Sequence, residues 1–163
     1  MKTKSLTLLF IGLCLLSCNS AYEKRQNAFK SALSEILLEE DDSNKKLCIV
    51  LFVSRDHMCA ECIKKEILNI KDNSWIEENI VIMGISQNKR EFISNLSTIN
   101  PRKIITIKDA DNNHVYDHQL MQYLLFDKEN KRIIHIFYPQ PCEEAATIDY
   151  FESVKKLCLE TDE

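Results

Sequence analysis

Apolar residues follow two patterns in this chain, continuous runs and a helical spacing, and segments of the two kinds alternate along its length. Two segments, 47–53 and 80–86, are almost continuous apolar runs rich in β-branched residues, which predicts strands buried on both faces of a sheet. In the segments 22–39, 58–70 and 89–96, apolar residues instead recur every three or four positions between charged ones. That spacing predicts amphipathic helices before, between and after the two strands.

The C-terminal third predicts a hairpin followed by a helix. Tyr123 to Asp127 and Arg132 to Tyr138 flank a polar turn at residues 128–130, and residues 103–108 alternate weakly, as in a short additional strand. A closing helix is predicted over 143–159. Its apolar positions at helical spacing are Ile148, Phe151, Val154, Leu157 and Cys158. In the 89–96 helix we expect Phe92, Ile93 and Leu96 to face inward.

This order of elements predicts an α/β fold in which a central mixed sheet of four or five strands has helices on both faces. The chain has 163 residues, of which 45% are hydrophobic and 28% charged, as in one ordinary globular domain. Its net charge of −4 provides no basic surface for phosphates, so we expect no nucleic-acid partner.

The N-terminus has the pattern of an export signal. Lys2 and Lys4 precede an apolar run over 6–16 that is too short to span a bilayer but has the length of a signal-peptide core. The run ends in Leu15-Leu16-Ser17-Cys18, which resembles the lipobox of bacterial lipoproteins. The resemblance implies that Cys18 is acylated after cleavage; the alternative is an ordinary secretory signal in which Cys18 is incidental.

We therefore divide the chain into a signal peptide (1–17), a lipidated N-terminus with an amphipathic helix (18–44) and a folded domain (45–163). We expect a lipid-anchored protein of the cell envelope that faces the periplasm, in either the inner or the outer membrane. Several acyl chains on one residue give stable anchoring, whereas a single chain gives only marginal binding.

Seven cysteines are present, of which Cys14 lies in the signal peptide. Beyond Cys18 five remain, so at least one does not pair within the chain. Cys142 and Cys158 flank the closing helix, whose length of roughly 23 Å keeps them too far apart for a disulfide. Cys48 lies in an apolar strand, where we expect a small buried core residue.

The remaining two cysteines form the motif Cys59-Ala60-Glu61-Cys62, which follows a strand and a short loop and opens a helix. Unpaired N–H groups and the helix dipole at such a position stabilise a thiolate. The arrangement resembles thioredoxin-like proteins, especially membrane-anchored, periplasm-facing thiol–disulfide oxidoreductases, over about residues 45–160. The resemblance implies that Cys59 attacks and Cys62 resolves, with a redox-active Cys59–Cys62 disulfide, no cofactor, and exported proteins carrying disulfides or thiols as partners.

The chain departs from that family at three places. The family usually has a proline before the third core strand, where this chain has Met121-Gln122. Met58 stands before the first cysteine, where the family often has an aromatic residue. Segment 47–53 lacks the buried acid that many members carry in this strand. Glu61 adds a carboxylate between the cysteines. It disfavours the thiolate and predicts a weak oxidant, and it is a candidate proton donor or acceptor in place of the missing acid.

Other interpretations remain open. The cysteine pair is also compatible with a static disulfide, or with a copper site that uses His57 and either His114 or His118. A zinc site is less favoured because no second Cys-x-x-Cys occurs. The two hypotheses are therefore an oxidoreductase and a non-catalytic module that binds a partner protein or copper.

Overall fold

The computed structural model describes residues 23–41, 43–54, 60–85, 89–107, 121–140 and 143–161. The helices are α1 (23–40), α2 (Ala60–Lys71), α3 (Ser74–Asn79), α4 (Lys89–Asn95) and α5 (Glu144–Thr161). The strands are β1 (Leu47–Val53), β2 (Ile80–Ile85), β3 (Lys103–Ile107), β4 (Gln122–Asp127) and β5 (Arg132–Phe137). None of the helices in these ranges is long and apolar enough to cross a membrane.

The strands form one mixed sheet in the order β3-β2-β1-β4-β5. β1 pairs in parallel with β2, which pairs in parallel with β3, while β4 is antiparallel to both β1 and β5. Every residue of β1 is buried, because this strand is central in the sheet and is covered on both faces. The predicted α/β class and mixed sheet are therefore confirmed, and the sheet has five strands.

One face of the sheet, here called the α2 face, is covered by α2, α3, α4 and α5. The odd-numbered residues of β1 point to it and pack against Ile63, Ile67 and Ile70 of α2 and against Phe151 and Val154 of α5. Gly84 in β2 lies beneath the ring of Phe92 from α4, which occupies the space that a methyl group on Gly84 would fill. The trace of β2 therefore depends on a glycine at this point.

The opposite face, here called the α1 face, is covered by α1. Phe29, Leu33 and Leu37 are fully buried against the even-numbered residues of β1 and their neighbours in the sheet. Phe29 packs edge-to-face on Phe52, near the carboxyl end of β1, with 5.2 Å between the ring centroids. Together with the buried residues of the α2 face, these contacts place helices on both faces, as predicted.

α1 runs antiparallel to β1. Its first turns lie near Phe52, whereas Asp41, just past its last turn, reaches Arg102 beside Cys48 at the amino end of β1. The start of α1 therefore lies at the end of the sheet from which the chain leaves β1 toward the Cys-x-x-Cys segment.

Two helices bury a set of residues that differs from what their apolar pattern suggests. In α5 the buried residues are Thr147, Tyr150, Phe151, Val154 and Cys158, whereas Ile148 and Leu157 are exposed. Ile93 of α4 is exposed as well. A stripe centred on Phe151 and Val154 takes Tyr150 inward and leaves Ile148 and Leu157 on its flanks, because neighbouring positions on a helix are about 100° apart.

Candidate redox site

Cys62 lies in the first turn of α2, directly after the central strand and its connecting loop. Its side chain is half-buried, whereas Ile63 beside it is buried in the core of the α2 face. A thiol at this point is exposed to the unpaired N–H groups and the positive end of the helix dipole, both of which favour the thiolate. This is the local setting that the motif predicts for a redox thiol.

Several residues of the sequence-based hypotheses lie outside the described residues. These are Cys18, His57, Cys59, His114, His118 and Cys142. The roles given to them remain predictions. Within the described ranges, no three His, Cys, Asp or Glu side chains are grouped so that they could hold a metal ion.

Glu61 extends into solvent from the first turn of α2. Its side chain is 82% exposed, and its Oε1 lies 2.9 Å from Nζ of Lys64 one turn later. Both water and the lysine screen its charge, which weakens its effect on a thiolate nearby. The two roles given to Glu61, in setting the redox potential and in proton transfer, stay predictions, and its carboxylate is exposed rather than buried.

A buried acid is nevertheless present, on α2 rather than in β1. Glu66 is 3% exposed and accepts a hydrogen bond at Oε2 from the phenol of Tyr123 in β4, with 2.8 Å between the oxygens. Burial raises the pKa of Glu66, while hydrogen bonding to Tyr123 partly opposes that rise. Burial and the neighbouring Glu66 hold the pKa of Tyr123 well above its usual range, so its O–H remains a donor.

Glu66 was missed in the sequence although its position gives a clue. It falls on the inward stripe of α2 together with Ile63, Ile67 and Ile70, where a charged residue is unusual. Only the structure supplies its partner, because Tyr123 lies 57 positions further along the chain.

The residues in place of the expected proline face opposite sides of the sheet. Met121 packs against the core of the α2 face, whereas Gln122 is fully buried beside Phe52, whose side chain points to the α1 face. The side chain that lies on the same face as α2 is therefore that of Met121, not that of Gln122.

Cys48 is a buried core residue, as predicted, but it has a polar neighbour. Its Sγ lies 3.1 Å from Nη2 of Arg102, which also lies 2.8 Å from Oδ2 of Asp41. Burial raises the pKa of the Cys48 thiol to about 12, so the thiol stays protonated. This cluster is at the amino end of β1, whereas α2 begins beyond the carboxyl end of that strand.

No family model and no curated protein sequence matches the chain. Among solved structures, it is similar to a candidate thiol-disulfide oxidoreductase from Bacteroides vulgatus, with 13% identity and a TM-score of 0.44 over 69% of this chain and 76% of that one. It is also similar to thioredoxin peroxidase I of Plasmodium yoelii, with 16% identity and a TM-score of 0.42 over 72% of this chain and 75% of that one.

Proposed function

We propose that this protein is a thiol–disulfide oxidoreductase whose redox pair is Cys59 and Cys62. The observation that carries the proposal is the position of Cys62 in the first turn of α2, the helix that follows the buried central strand β1 after a connection of six residues. A three-residue offset at a helix start brings the second thiol within reach of a mixed disulfide on the first.

In the reducing direction, the Cys59 thiolate attacks one sulfur of a substrate disulfide. The substrate S–S bond breaks, a mixed disulfide forms on Cys59, and the other substrate sulfur leaves as a thiolate that takes up a proton. Cys62 then attacks the Cys59 sulfur, which releases the second substrate thiolate and leaves the Cys59–Cys62 disulfide. Two electrons pass from the pair to the substrate, and an external dithiol must return them before the next turnover.

An insulin-reduction assay tests the activity. The wild-type protein should precipitate the insulin B chain in the presence of a dithiol, whereas Cys59→Ser and Cys62→Ser should not exceed the uncatalysed rate. Cys48→Ala is the matched control, because it also removes a cysteine but at the other end of β1. Equal rates for wild type and Cys59→Ser would rule out the oxidoreductase.

We further propose that Cys18 carries the acyl anchor and that the substrates are exported proteins at the membrane surface. The order of basic start, apolar run, Ser17 and Cys18 supports this. In cells supplied with labelled palmitate, the wild-type chain should incorporate label and fractionate with membranes, and Cys18→Ala should do neither. Incorporation of label by Cys18→Ala would contradict the anchor.

The second candidate function is a non-catalytic module that binds a partner protein or copper. It is favoured by one observation, the Met121-Gln122 sequence where a proline commonly shapes substrate docking. Metal analysis of the purified protein distinguishes the two: one copper bound per chain and lost in Cys59→Ser, together with no insulin reduction, would support the binding module.

A further inference from the structure

We propose that the open edge of β5 binds an extended segment of a partner protein, which joins the sheet as a sixth strand and places apolar side chains on the α2 face and polar side chains on the α1 face. β5 is the last strand in the order β3-β2-β1-β4-β5, and within the described part of the chain it pairs with β4 alone. The inference goes beyond the redox function proposed above, because it rests on two clefts beside β5 that no cysteine lines.

The first of these, here called the apolar cleft, lies on the α2 face between β5 and α5. Its volume of about 510 Å³ is in the range of sites that bind ligands. Most of its walls are apolar, and they include Ile134 and Phe137 from β5 and Tyr150, Val154 and Leu157 from α5. Ile134 is 40% exposed and Leu157 is 39% exposed, so a side chain from outside gains free energy by covering them.

Stacked rings hold the shape of the apolar cleft. The ring of Tyr150 stacks on Phe137 with 4.7 Å between centroids, and on His135 with 5.6 Å between centroids. On its other contacts Tyr150 packs against Tyr123 and Phe151, which are fully buried. Rings fixed in this way lose little conformational freedom when a partner binds, which favours binding.

A β-bulge in β5 adds apolar surface to the cleft. The pairing with β4 passes from His135 directly to Ile133, so Ile134 has no residue opposite it. In consequence Ile134 and His135 both line the apolar cleft, whereas successive residues of a regular strand point to opposite faces. Beyond the bulge, residues 135–137 keep a regular register with β4 and present a regular edge for a further strand.

The second cleft, here called the polar cleft, lies on the α1 face of the same strand. It occupies about 430 Å³ between β5 and the first turns of α1. The side chains that α1 contributes are all polar or charged, whereas β5 contributes one aliphatic and one aromatic side chain. The lining residues are Glu23, Gln26, Asn27 and Lys30 from α1 and Ile136 and Tyr138 from β5.

Together the two clefts match the alternation of side chains along an extended chain. A sixth strand beside β5 directs every second side chain toward the apolar cleft and the others toward the polar cleft. Main-chain hydrogen bonds to β5 hold such a strand, and the clefts select for alternating apolar and polar residues. A second copy of β5 fits less well, because an antiparallel copy would bring its apolar Ile133 and Ile136 to the side of the polar cleft.

Peptide binding to the purified protein tests the proposal. The probe is acetyl-Lys-Val-Thr-Val-Ser-Val-Thr-Lys-amide, and the reference is acetyl-Lys-Thr-Val-Val-Val-Ser-Thr-Lys-amide, which has the same composition without the alternation. In titration calorimetry the probe should bind about tenfold more tightly than the reference, the effect of burying one additional apolar side chain. The probe should also slow hydrogen exchange at the outward N–H groups of β5. Equal affinity for the two peptides would overturn the proposal.

N-methylated probes show whether the peptide joins the sheet. One version carries methyl groups on the three valine nitrogens, and the other carries them on the threonine and serine nitrogens. Since alternate N–H groups point to opposite edges of a strand, only one of the two versions should lose binding. If both bind as well as the unmethylated probe, the peptide lies in a cleft without joining the sheet, and the proposal is overturned. These measurements use the wild-type protein and do not depend on the folding of any variant.

Leu157→Glu places a carboxylate in the apolar cleft and should weaken binding of the probe by at least about tenfold. Leu159→Glu is the matched control, because Leu159 is on the same helix, is 53% exposed and does not line the cleft. Unchanged binding in Leu157→Glu would overturn the proposal, as would protection of the β5 edge in a dimer of the free protein. The peptides contain no cysteine, so none of these results bears on the oxidoreductase, which the insulin assay tests separately.

Discussion

Asp41 and Arg102 form an ion pair with 2.8 Å between Oδ2 and Nη2, and the Asp41 side chain is only 2% exposed. Lys128, in the turn between β4 and β5, approaches the same Oδ2 at 3.5 Å. Ser43 donates its backbone N–H to Oδ1 at 3.3 Å. One carboxylate thus joins the end of α1, the start of β3 and the hairpin turn at the amino end of β1.

Asp41→Asn should therefore destabilise the fold. It removes the charge that compensates Arg102 and Lys128, and breaking a buried pair on one side typically costs about 3–5 kcal/mol. Urea denaturation followed by circular dichroism measures the change in the free energy of unfolding. Asp72→Asn, which neutralises an exposed acid just past the end of α2, should change it by less than about 0.5 kcal/mol.

The same carboxylate should make the protein sensitive to acid. Burial alone would raise the pKa of Asp41, but Arg102, the Ser43 N–H and Lys128 outweigh it, so the pKa lies below its usual range. A group with a depressed pKa stabilises the fold above its unfolded pKa and loses that contribution as the pH falls through its folded pKa. Between neutral pH and about pH 3, the wild type should lose more stability than Asp41→Asn. Parallel curves for the two proteins would contradict this.

Cys48 should not react with alkylating reagents while the protein is folded. Burial is the main cause of its pKa of about 12, and the reactive species is the thiolate, which is then almost absent at neutral pH. Mass spectrometry after iodoacetamide treatment should find Cys48 unmodified in buffer and fully modified in denaturant. Rapid modification in buffer would show that the amino end of β1 opens readily.

Gly84→Ala should destabilise the fold by about 1–3 kcal/mol, the usual cost of adding a methyl group to a packed core. The added methyl overlaps the ring of Phe92, which is itself buried in the core of the α2 face. The double variant Gly84→Ala/Phe92→Leu should recover part of that loss, since the shorter side chain vacates the space. If the stability losses of the two single variants simply add in the double variant, measured by thermal unfolding, the contact between Gly84 and Phe92 does not limit packing.

The docking of α1 can be measured separately. Phe29→Ala should reduce the free energy of unfolding by about 3–5 kcal/mol, because a fully buried aromatic ring leaves a cavity against Phe52. Asn27→Ala, two positions earlier on the exposed side, is the control and should have little effect. Retained stability in Phe29→Ala would mean that the sheet folds without α1.

Much of the fold was predictable because its elements have clear periods. The continuous runs that became β1 and β2, the hairpin and the helices α1, α2, α4 and α5 follow from local spacing, and even the weak alternation over 103–108 is a strand. The short helix α3 was not predicted. The exposure of Ile148 and Leu157 does not follow from the spacing, because adjacent stripes of an apolar helix are equivalent until the helix packs on the sheet. The order of the strands in the sheet could not be predicted from the hydrophobic pattern, because β1 pairs with β4, which lies far along the chain.

The candidate site was predictable only as far as the cysteines. The motif predicts the position of Cys62 at the start of α2, and it includes Glu61, the acid adjacent to Cys62 in the sequence. Glu66 and Tyr123 are separated in the chain and become a pair only when β4 lies under α2. A buried helix or strand face produces a repeating apolar pattern in the sequence, whereas a single hydrogen bond between distant residues does not.

The direction of α1 affects which end of the domain lies near a membrane if the chain is anchored through Cys18. If Cys18 carries the anchor, the four residues 19–22 separate it from the first residue of α1, so the tether is at most roughly 18 Å long. The first turn of α1 lies at the same end of the sheet as the Cys-x-x-Cys segment. If Cys18 carries the anchor, as we propose, the start of α2 with Cys62 would lie at the end of the domain nearest the membrane, and proteins embedded in that membrane would reach it more readily than proteins free in solution.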